Sequence, residues 1–255
     1  MIRENQKEIN WLVDEKYAGK LTKAAEKDIA RLKAGEPVSY LIGFVEFLGY
    51  KMDLSLKPLI PRPETEYWTQ KAIQDIRTSL KQNVSIRCLD VFSGSGCIGI
   101  AVSRHILQAR VDFAENEKKF LQQIQLNLKK NRVSKKRFKV IQSDVFSGVP
   151  GKYDYIFANP PYIATTRWKS VQSSVARYEP RGALFAGKDG LRYIKRFLKE
   201  AKNHLTPKGK IYMEFDSPQR KEIDLLLKKY RYSSWQFYKD QYGKWRFVVV
   251  SLKQN

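Results

Sequence analysis

The sequence predicts an α/β fold, in which a doubly wound and mostly parallel sheet ends in an antiparallel hairpin. Segments with strand-like and helix-like apolar periodicity alternate from residue 64 to residue 230, which is typical of a parallel sheet with helices on both faces. The last two strand-like segments follow each other with only the turn 240–243 between them. A chain of 255 residues that is 42% hydrophobic has enough apolar side chains for such a core.

The first 40 residues are predicted to be a short helical segment that precedes a larger domain over residues 41–255. Up to about residue 34, apolar side chains recur at helical spacing among charged ones. The stretch 35–37 (Gly-Glu-Pro) breaks this pattern, and the looser alternation near 44–57 predicts a β-hairpin linker. Prolines then stiffen the next stretch, and Pro63 suits the first turn of the helix that follows.

The elements of the larger domain follow from the same periodicities. Strands are predicted near 86–91, 110–115, 138–142, 153–158, 209–215, 233–238 and 245–252. Helices are predicted near 64–82, 97–108, 117–131, 190–204 and 217–230. In such a sheet, ligands bind in the crevice outside the carboxyl ends of the strands. Polar residues where these strands end are therefore the candidates for a functional site.

The composition excludes several classes of protein. No apolar run approaches the roughly 18 residues that a membrane span needs, and the N-terminus has no apolar signal region. We therefore expect a soluble, cytoplasmic chain with no membrane partner, and we expect it to be a monomer. The two cysteines, Cys88 and Cys97, lie in apolar segments and support neither a disulfide framework nor a zinc site, so no metal is expected.

The net charge is +22, from 48 Lys and Arg against 26 Asp and Glu. Nine basic residues and no acidic one lie between Lys118 and Lys139. A field of this sign favours polyanions, so weak electrostatic contact with RNA or the ribosome is one interpretation. A solvated lysine-rich surface without a partner is the other.

The sequence 159–162, Asn-Pro-Pro-Tyr, directly follows the apolar strand predicted at 153–158. Two prolines cannot continue a central strand, because neither donates to the ladder and each has a fixed φ. The amide of Asn159 and the neighbouring carbonyls are therefore held in a stiff loop at the edge of the sheet. Such fixed acceptors suit a planar NH2 group, whose protons they bind. An ordinary turn that ends a strand is the simpler alternative.

A glycine-rich loop follows the strand 86–91, which carries Asp90 near its end. The sequence 94–99 fits the G-x-G-x-x-G fingerprint of NAD sites, which alone is a weak signal. Asp90 would repel a pyrophosphate, whereas it suits an ammonium group. S-adenosylmethionine carries that ammonium and no phosphate, so it is the predicted cofactor. The loop, which includes Phe92, Ser93, Gly94, Ser95 and Gly96, lies at the carboxyl edge of the sheet, where ligands bind.

Acidic residues also end the next two strands. Glu115 lies 21 residues beyond Gly94 and is placed to accept both hydroxyls of a ribose. Asp112 competes for this role, but alternation along the strand favours Glu115. Asp144 follows the third strand and is expected to accept from the amino group of an adenine, with Val145 or Phe146 against the ring.

Taken together, these segments resemble the HemK/PrmC family of protein-glutamine N5-methyltransferases, which modify peptide chain release factors. The segments that carry the resemblance are 35–43, 47–49, 60–66, 90–99, 143–144, 159–162 and 178–191. The resemblance covers residues 35–255, and the form of 61–66 (Pro-Arg-Pro-Glu-Thr-Glu) is similar to the release-factor branch. It implies the seven-stranded fold of class I S-adenosylmethionine-dependent methyltransferases.

The resemblance also implies a reaction, the transfer of a methyl group to the glutamine side chain of a Gly-Gly-Gln motif in a release factor. Residues 92–96 would line the methionine and ribose, Glu115 would bind the ribose hydroxyls and Val145 would flank the adenine. The residues that would hold the substrate glutamine are Asn159, Pro160, Pro161 and Tyr162, and Asn159 is expected to contact the cofactor as well. The Asn159 side-chain oxygen and the Pro160 carbonyl would each accept one amide proton, and Tyr162 would pack on the flat face of the amide.

The chain departs from the family pattern in two ways. Family members carry a larger N-terminal helical bundle that contacts the release factor, whereas about 34 residues precede the matching region here. Phe92 and Ser93 stand where a Gly-Thr pair is common.

Two other functions stay open at this point. An N6-adenine methyltransferase on DNA or RNA would use the same Asn-Pro-Pro-Tyr acceptors for an exocyclic amine, and the charge of +22 suits that substrate. Against it, the C-terminal stretch completes the sheet and leaves no target-recognition domain, and the basic cluster 129–139 enters the third strand at the edge opposite the catalytic loops. A non-enzymatic RNA-binding module is the second alternative.

Overall fold

The computed structural model describes residues 2–252, which contain a seven-stranded sheet and a separate two-stranded hairpin. The strands are β1 Phe44–Phe47, β2 Tyr50–Asp53, β3 Ile86–Val91, β4 Ala109–Glu115, β5 Phe138–Gln142, β6 Tyr153–Ala158, β7 Leu205–Glu214, β8 Ser234–Lys239 and β9 Trp245–Ser251. The helices are α1 Ile2–Tyr17, α2 Lys23–Lys33, α3 Val38–Ile42, α4 Pro63–Ser79, α5 Cys97–His105, α6 Lys118–Lys130, α7 Ser173–Tyr178, α8 Arg181–Leu184, α9 Arg192–Glu200 and α10 Arg220–Lys229. Short 3₁₀ turns occupy Lys135–Arg137, Thr165–Ser170, Ala201–His204 and Ser217–Gln219.

The strand order of the large sheet is β5-β4-β3-β6-β7-β9-β8. The first five of these strands are parallel, and β9 runs antiparallel between β7 and β8. The predicted fold class is therefore confirmed. The strand order reverses between β3 and β6, which are hydrogen-bonded neighbours with Val91 opposite Ala158. The glycine loop after β3 and the Asn-Pro-Pro-Tyr loop after β6 thus leave the sheet side by side, at the switch point where open α/β sheets bind ligands.

Both faces of the sheet are buried, which explains why its central strands are nearly all apolar. One face packs against a cluster that includes Trp68 of α4 and Val102 of α5. The other face packs against Phe197 of α9 and Leu227 of α10. Each of these side chains is fully buried, and such burial contributes about 1.5–3 kcal/mol for a large apolar side chain.

The N-terminal helices have a small core of their own, formed around Leu12, Leu32 and Leu41. The hairpin β1–β2 is attached to the large sheet domain through α6, where the Asn127 side-chain oxygen accepts the Asp53 N–H at 2.7 Å. The predicted N-terminal helical segment consists of α1 and α2, and the predicted hairpin is present. Helix α3 is an element that the sequence did not predict, and it spans the domain boundary proposed at residue 40, which stays a prediction.

Several predicted element ends differ from the structure. The helix predicted at 190–204 stops at Glu200 and continues as a 3₁₀ turn, and β7 begins at Leu205, earlier than the predicted 209. The segment 165–184, for which no element was predicted, forms a 3₁₀ turn, α7 and α8. These pieces have four to six residues each, too few for a periodic apolar pattern to show. Within residues 2–252, no helix is long and apolar enough to cross a membrane.

Candidate active site

A cavity lies at the carboxyl edge of the sheet, between the loops that follow β3, β4, β5 and β6. The predicted site residues that line it are Phe92, Ser93, Gly94, Ser95, Glu115, Asp144, Val145, Asn159 and Pro161. Pro160 and Tyr162 line a smaller cavity, which shares Asn159 with the larger one. Asp90 and Gly96 line neither cavity. Asn159 therefore stands between two adjoining chambers.

The loop after β3 requires glycine at two of its positions. Gly94 and Gly96 have φ of +54° and +79°, a region that favours glycine. A Cβ on Gly96 would also lie 3.3–3.4 Å from the side chains of Ile100 and Ile124. The Ser93 hydroxyl donates to the Asp90 carbonyl at 2.7 Å and closes the turn. The loop backbone is therefore fixed where it forms the cavity wall.

Phe92 in the same loop also has a positive φ, +60°, which costs a non-glycine residue on the order of 1–3 kcal/mol. Its ring packs against Tyr193 and Phe197, with centroid distances of 5.9 and 6.3 Å. Aromatic pairs of this kind contribute about 0.5–1.5 kcal/mol beyond their buried area. These contacts offset the strain, so phenylalanine is accommodated at this position.

Asp90 does not lie where the sequence prediction placed it. Its side chain is fully buried in β3, and Oδ2 accepts the Gly99 N–H at 2.9 Å. Oδ1 has no hydrogen-bond partner among the described residues. Burial, with a smaller contribution from the charge of Glu115, raises the pKa of Asp90 to about 7. We therefore correct the prediction that Asp90 contacts an ammonium group directly. Its carboxylate does not reach the surface of the cavity, and it holds the first turn of α5 by accepting the Gly99 N–H.

Glu115, the last residue of β4, lies on the cavity wall and is 8% exposed. Its two oxygens accept the N–H groups of Gly94 and Glu117, each at 2.9 Å. Burial raises the pKa of this carboxyl. Each oxygen keeps a free lone pair for a ligand hydroxyl. The competing residue, Asp112, is buried away from the cavity and accepts from the Tyr153 hydroxyl at 3.0 Å, so the geometry favours Glu115.

The loop after β5 contributes Asp144 and Val145 to the wall. Asp144 is paired with Arg196 through two bonds of 2.9 Å, one to each carboxylate oxygen. Val145 is buried with φ of +60°, a strained conformation for a β-branched residue, and its carbonyl accepts from the Ser143 hydroxyl at 3.0 Å. Phe146 packs instead on Phe197, away from the cavity. Of the two residues considered for contact with an adenine, Val145 is the one on the wall.

The Asn-Pro-Pro-Tyr loop is held by hydrogen bonds at both ends. The Asn159 side-chain NH2 donates to the Thr65 hydroxyl oxygen at 3.3 Å. The Tyr162 hydroxyl donates to Glu214 at 3.0 Å, and the Tyr162 carbonyl accepts from Gln219 at 2.9 Å. With the two prolines buried between these ends, the acceptors of the loop have a fixed direction.

Comparison with known proteins identifies the family to which these residues belong. The family model for "Methyltransferase small domain" matches residues 73–186. The release factor glutamine methyltransferase of Lactococcus lactis is 30% identical over 246 residues, which cover 95% of this chain and 88% of that protein. The chain belongs to the family of release factor glutamine methyltransferases. The enzyme of that name from Streptococcus pneumoniae is 34% identical over 237 residues, which cover 88% of this chain and 78% of that protein.

Solved structures with the same fold are more distant in sequence. A methyltransferase from Pyrococcus furiosus has a TM-score of 0.57 at 18% identity, covering 88% of this chain and 96% of its own. The N-terminal domain of human METTL16, solved in complex with SAH, has a TM-score of 0.55 at 16% identity, covering 81% and 77%. These likenesses show the methyltransferase fold.

The charges on the cavity wall fit the cofactor expected for this family. The charged residues that line the larger cavity are Arg62, Glu115, Glu117 and Asp144, which are three carboxylates and one guanidinium. The wall is therefore acidic although the chain as a whole carries +22. S-adenosylmethionine carries a sulfonium, an ammonium and one carboxylate, so its net positive charge complements this wall, whereas a pyrophosphate would be repelled.

Two further groups at or behind the cavity walls were not predicted from the sequence. Arg62 pairs with buried Glu179 at 2.5 Å, and the Ile60 N–H donates to the same carboxylate at 3.1 Å. This pair ties the proline-rich segment before α4 to the segment before α8, at the wall of both cavities. Glu214 is the second part. It ends β7 as Glu115 ends β4, and an acid at a strand end is the same signal that identifies Glu115.

Proposed function

We propose that this protein transfers a methyl group from S-adenosylmethionine to the side-chain amide nitrogen of a glutamine, in the Gly-Gly-Gln motif of a peptide chain release factor. The observation that supports this most directly is the position of Asn159 on the shared wall of two adjoining cavities. One cavity has the glycine loop and Glu115, and the other has Pro160 and Tyr162. The names of the related enzymes support the choice of substrate.

The cofactor would occupy the larger cavity. Residues 92–96 would contact its methionine and ribose parts, Glu115 would accept from the ribose hydroxyls, and Val145 would lie against the adenine. Asp144 would accept from the adenine amino group with the lone pairs that Arg196 leaves free. When bound, S-adenosylmethionine supplies an electrophilic methyl group on a sulfonium.

The substrate glutamine would enter through the smaller cavity. The Asn159 side-chain oxygen and the Pro160 carbonyl would each accept one proton of the amide NH2, and Tyr162 would pack on its flat face. Holding the nitrogen this way turns its out-of-plane lobe toward the methyl group, and positioning can supply a large part of a barrier reduction. The glutamine nitrogen would take the methyl group that the bound sulfonium supplies, the sulfur would leave as a neutral thioether, and the nitrogen would lose a proton to water. The two acceptors stabilise the positive charge that grows on nitrogen.

Radiolabelled S-adenosylmethionine tests this proposal. The purified protein is incubated with a release factor, with the same release factor carrying alanine in place of the Gly-Gly-Gln glutamine, and with DNA or RNA. We expect label on the intact release factor alone, and mass spectrometry of its peptides should place one methyl group on that glutamine. Label on nucleic acid would favour the adenine-methylating alternative. Label on the alanine variant would exclude the proposed acceptor.

A further inference from the structure

Glu214 is a buried carboxylate that contacts Tyr162 at one end of the Asn-Pro-Pro-Tyr loop directly and Asn159 at the other end through Thr65. It lies at the end of β7 and is 1% exposed. Oε2 accepts from the Thr65 hydroxyl and from the Trp68 indole N–H, each at 2.7 Å. Oε1 accepts from the Tyr162 hydroxyl at 3.0 Å. Burying a carboxylate is costly unless it is well bonded, so this arrangement calls for a reason beyond packing.

The direction of the hydrogen bonds at Thr65 follows from its chemistry. A threonine hydroxyl has one proton, and at Thr65 that proton is bonded to Glu214. Its oxygen can then only accept from Asn159, and the group 3.3 Å away must be the side-chain NH2. A flipped Asn159 amide would set two acceptor oxygens against each other. The Asn159 Oδ1 is therefore the atom left to meet a ligand.

We propose that Glu214 is a positioning residue for methyl transfer, which acts through Thr65 to hold the Asn159 amide with its oxygen toward the reacting nitrogen. Through the Tyr162 hydroxyl, the same carboxylate also sets the aromatic ring of the loop. Glu214 itself lines neither cavity. This inference rests on the proposed function, because the acceptor that it orients is the one assigned to the substrate amide.

Substitutions at Thr65 test the link without removing the buried carboxylate. Thr65→Val keeps the shape and removes the hydroxyl, whereas Thr65→Ser keeps the hydroxyl. We expect Thr65→Val to lower kcat at least tenfold with KM for both substrates within about twofold, and Thr65→Ser to stay near wild type. The matched control is Thr69→Val. Thr69 is also buried, one turn further along α4, and within residues 2–252 its hydroxyl donates only to the Thr65 backbone carbonyl, at 2.7 Å.

A spectroscopic readout separates this inference from the proposed function. Hydrogen exchange of the Asn159 side-chain NH2, assigned by its loss in Asn159→Ala, needs no substrate. We expect slow exchange in the wild type, Thr65→Ser and Thr69→Val, and fast exchange in Thr65→Val. Unchanged exchange in Thr65→Val would overturn the inference, as would an undiminished kcat in that variant. A wild-type protein that fails to label the release factor would overturn the proposed function, whereas the exchange rates would still decide whether Thr65 orients the amide.

Glu214→Leu tests the carboxylate itself. With no acceptor at position 214, the Thr65 proton is free to turn toward Asn159, so the amide loses its preferred direction. We expect its kcat to fall at least as far as in Thr65→Val, because the Tyr162 contact is lost as well, and the double variant to be no worse than Glu214→Leu alone, since the Thr65 link is already broken there. If the fold-losses in kcat of the two single variants multiply in the double variant, Glu214 and Thr65 act independently and the proposal is contradicted. If Glu214→Leu fails to fold, the comparison of Thr65→Val with Thr65→Ser still tests the proposal.

Discussion

Asn159 combines two features that the proposed reaction of a planar amide requires, a fixed direction and a position between two adjoining cavities. Its NH2 group is bonded to Thr65, so its oxygen is available on the cavity side. An amide nitrogen is a poor nucleophile because its lone pair is delocalised. Acceptors that hold its protons favour the rotated and partly charged nitrogen of the transition state over the ground state, and only such differential binding accelerates a reaction.

The first prediction concerns Asn159→Ala. Removing the acceptor should lower kcat by about 10²–10³, as loss of one preorganised group does at other charge-stabilising sites. The affinity for S-adenosylmethionine should stay within a few-fold, because the glycine loop and Glu115 are unchanged. Calorimetry of cofactor binding and a radiolabel assay measure the two quantities. Asn203→Ala, at an exposed asparagine, is the control, and unchanged turnover in Asn159→Ala would refute the assigned role.

The second prediction concerns the pH dependence of stability. Burial raises the pKa of Asp90 from 3.8 in the unfolded chain to about 7 in the folded protein. Between these values the unfolded state has lost its proton and the folded state has kept it, so the free energy of unfolding falls as pH rises and levels off above 7. From pH 5 to pH 8 the wild type should lose about 3 kcal/mol more than Asp90→Asn. Urea unfolding at both pH values measures this. Asp14→Asn, at an exposed position, should behave like the wild type, and equal losses in Asp90→Asn would contradict the assignment.

At the scale of secondary-structure elements, the sequence predicts those whose ends are marked by neighbouring residues. Strands β3, β5 and β6 have the bounds that the sequence predicts, because turn residues or prolines follow them directly. The carboxyl-edge loops follow from those bounds. Asp90 and Glu115 both lie at strand ends, yet one is behind the wall and the other on it. Which of the two carboxylates faces the cavity depends on the twist and packing of the whole sheet. The local sequence pattern contains no information about either.

The contacts of α4 with the end of β7 could not be predicted from the sequence. Thr65 and Trp68 read as ordinary residues of an amphipathic helix, and their partner Glu214 is 149 and 146 residues away in the chain. Such a long-range pairing exists only after the sheet has formed. It was therefore beyond prediction from a single sequence.

The third prediction concerns Gly190, which supports the Asn-Pro-Pro-Tyr loop from behind. Its φ is +73°, and a Cβ there would lie 2.3 Å from the Tyr162 carbonyl oxygen. Gly190→Ala should therefore lower the free energy of unfolding by at least about 2 kcal/mol, through strain and a backbone clash, and should displace Tyr162. Urea unfolding measures the loss. Gly182→Ala is the control for stability, since a Cβ there meets nothing within 4 Å. If the two variants have the same free energy of unfolding, the loop accommodates the added methyl group of Gly190→Ala without loss of stability.

At the scale of the whole molecule, the charge is unevenly distributed. The wall of the larger cavity is acidic, whereas the basic cluster 129–139 precedes and enters β5, at the opposite edge of the sheet. Part of that cluster is structural. Arg137 donates to the carbonyls of Ser103, Ile106 and Ala109, and Lys130 pairs with Asp53. The exposed remainder is free to contact a polyanion without approaching the cavity.

The fourth prediction follows from this separation. Replacing the exposed Lys129, Lys135 and Lys136 with glutamine should weaken RNA binding and reduce the slope of log affinity against log salt by about 2, since three fewer phosphates are neutralised. Methyl transfer to a release factor should stay within about twofold, because these lysines are remote from both cavities. Filter binding at several salt concentrations and the radiolabel assay measure the two effects on the same preparation. Glutamine at three exposed lysines of α10, Lys221, Lys228 and Lys229, changes the net charge equally and is the control. If both triple variants lower RNA affinity equally, RNA binding depends on the net charge of the chain and not on the basic cluster. If the first lowers methyl transfer in parallel with RNA binding, the basic cluster belongs to the catalytic function and the separation is wrong.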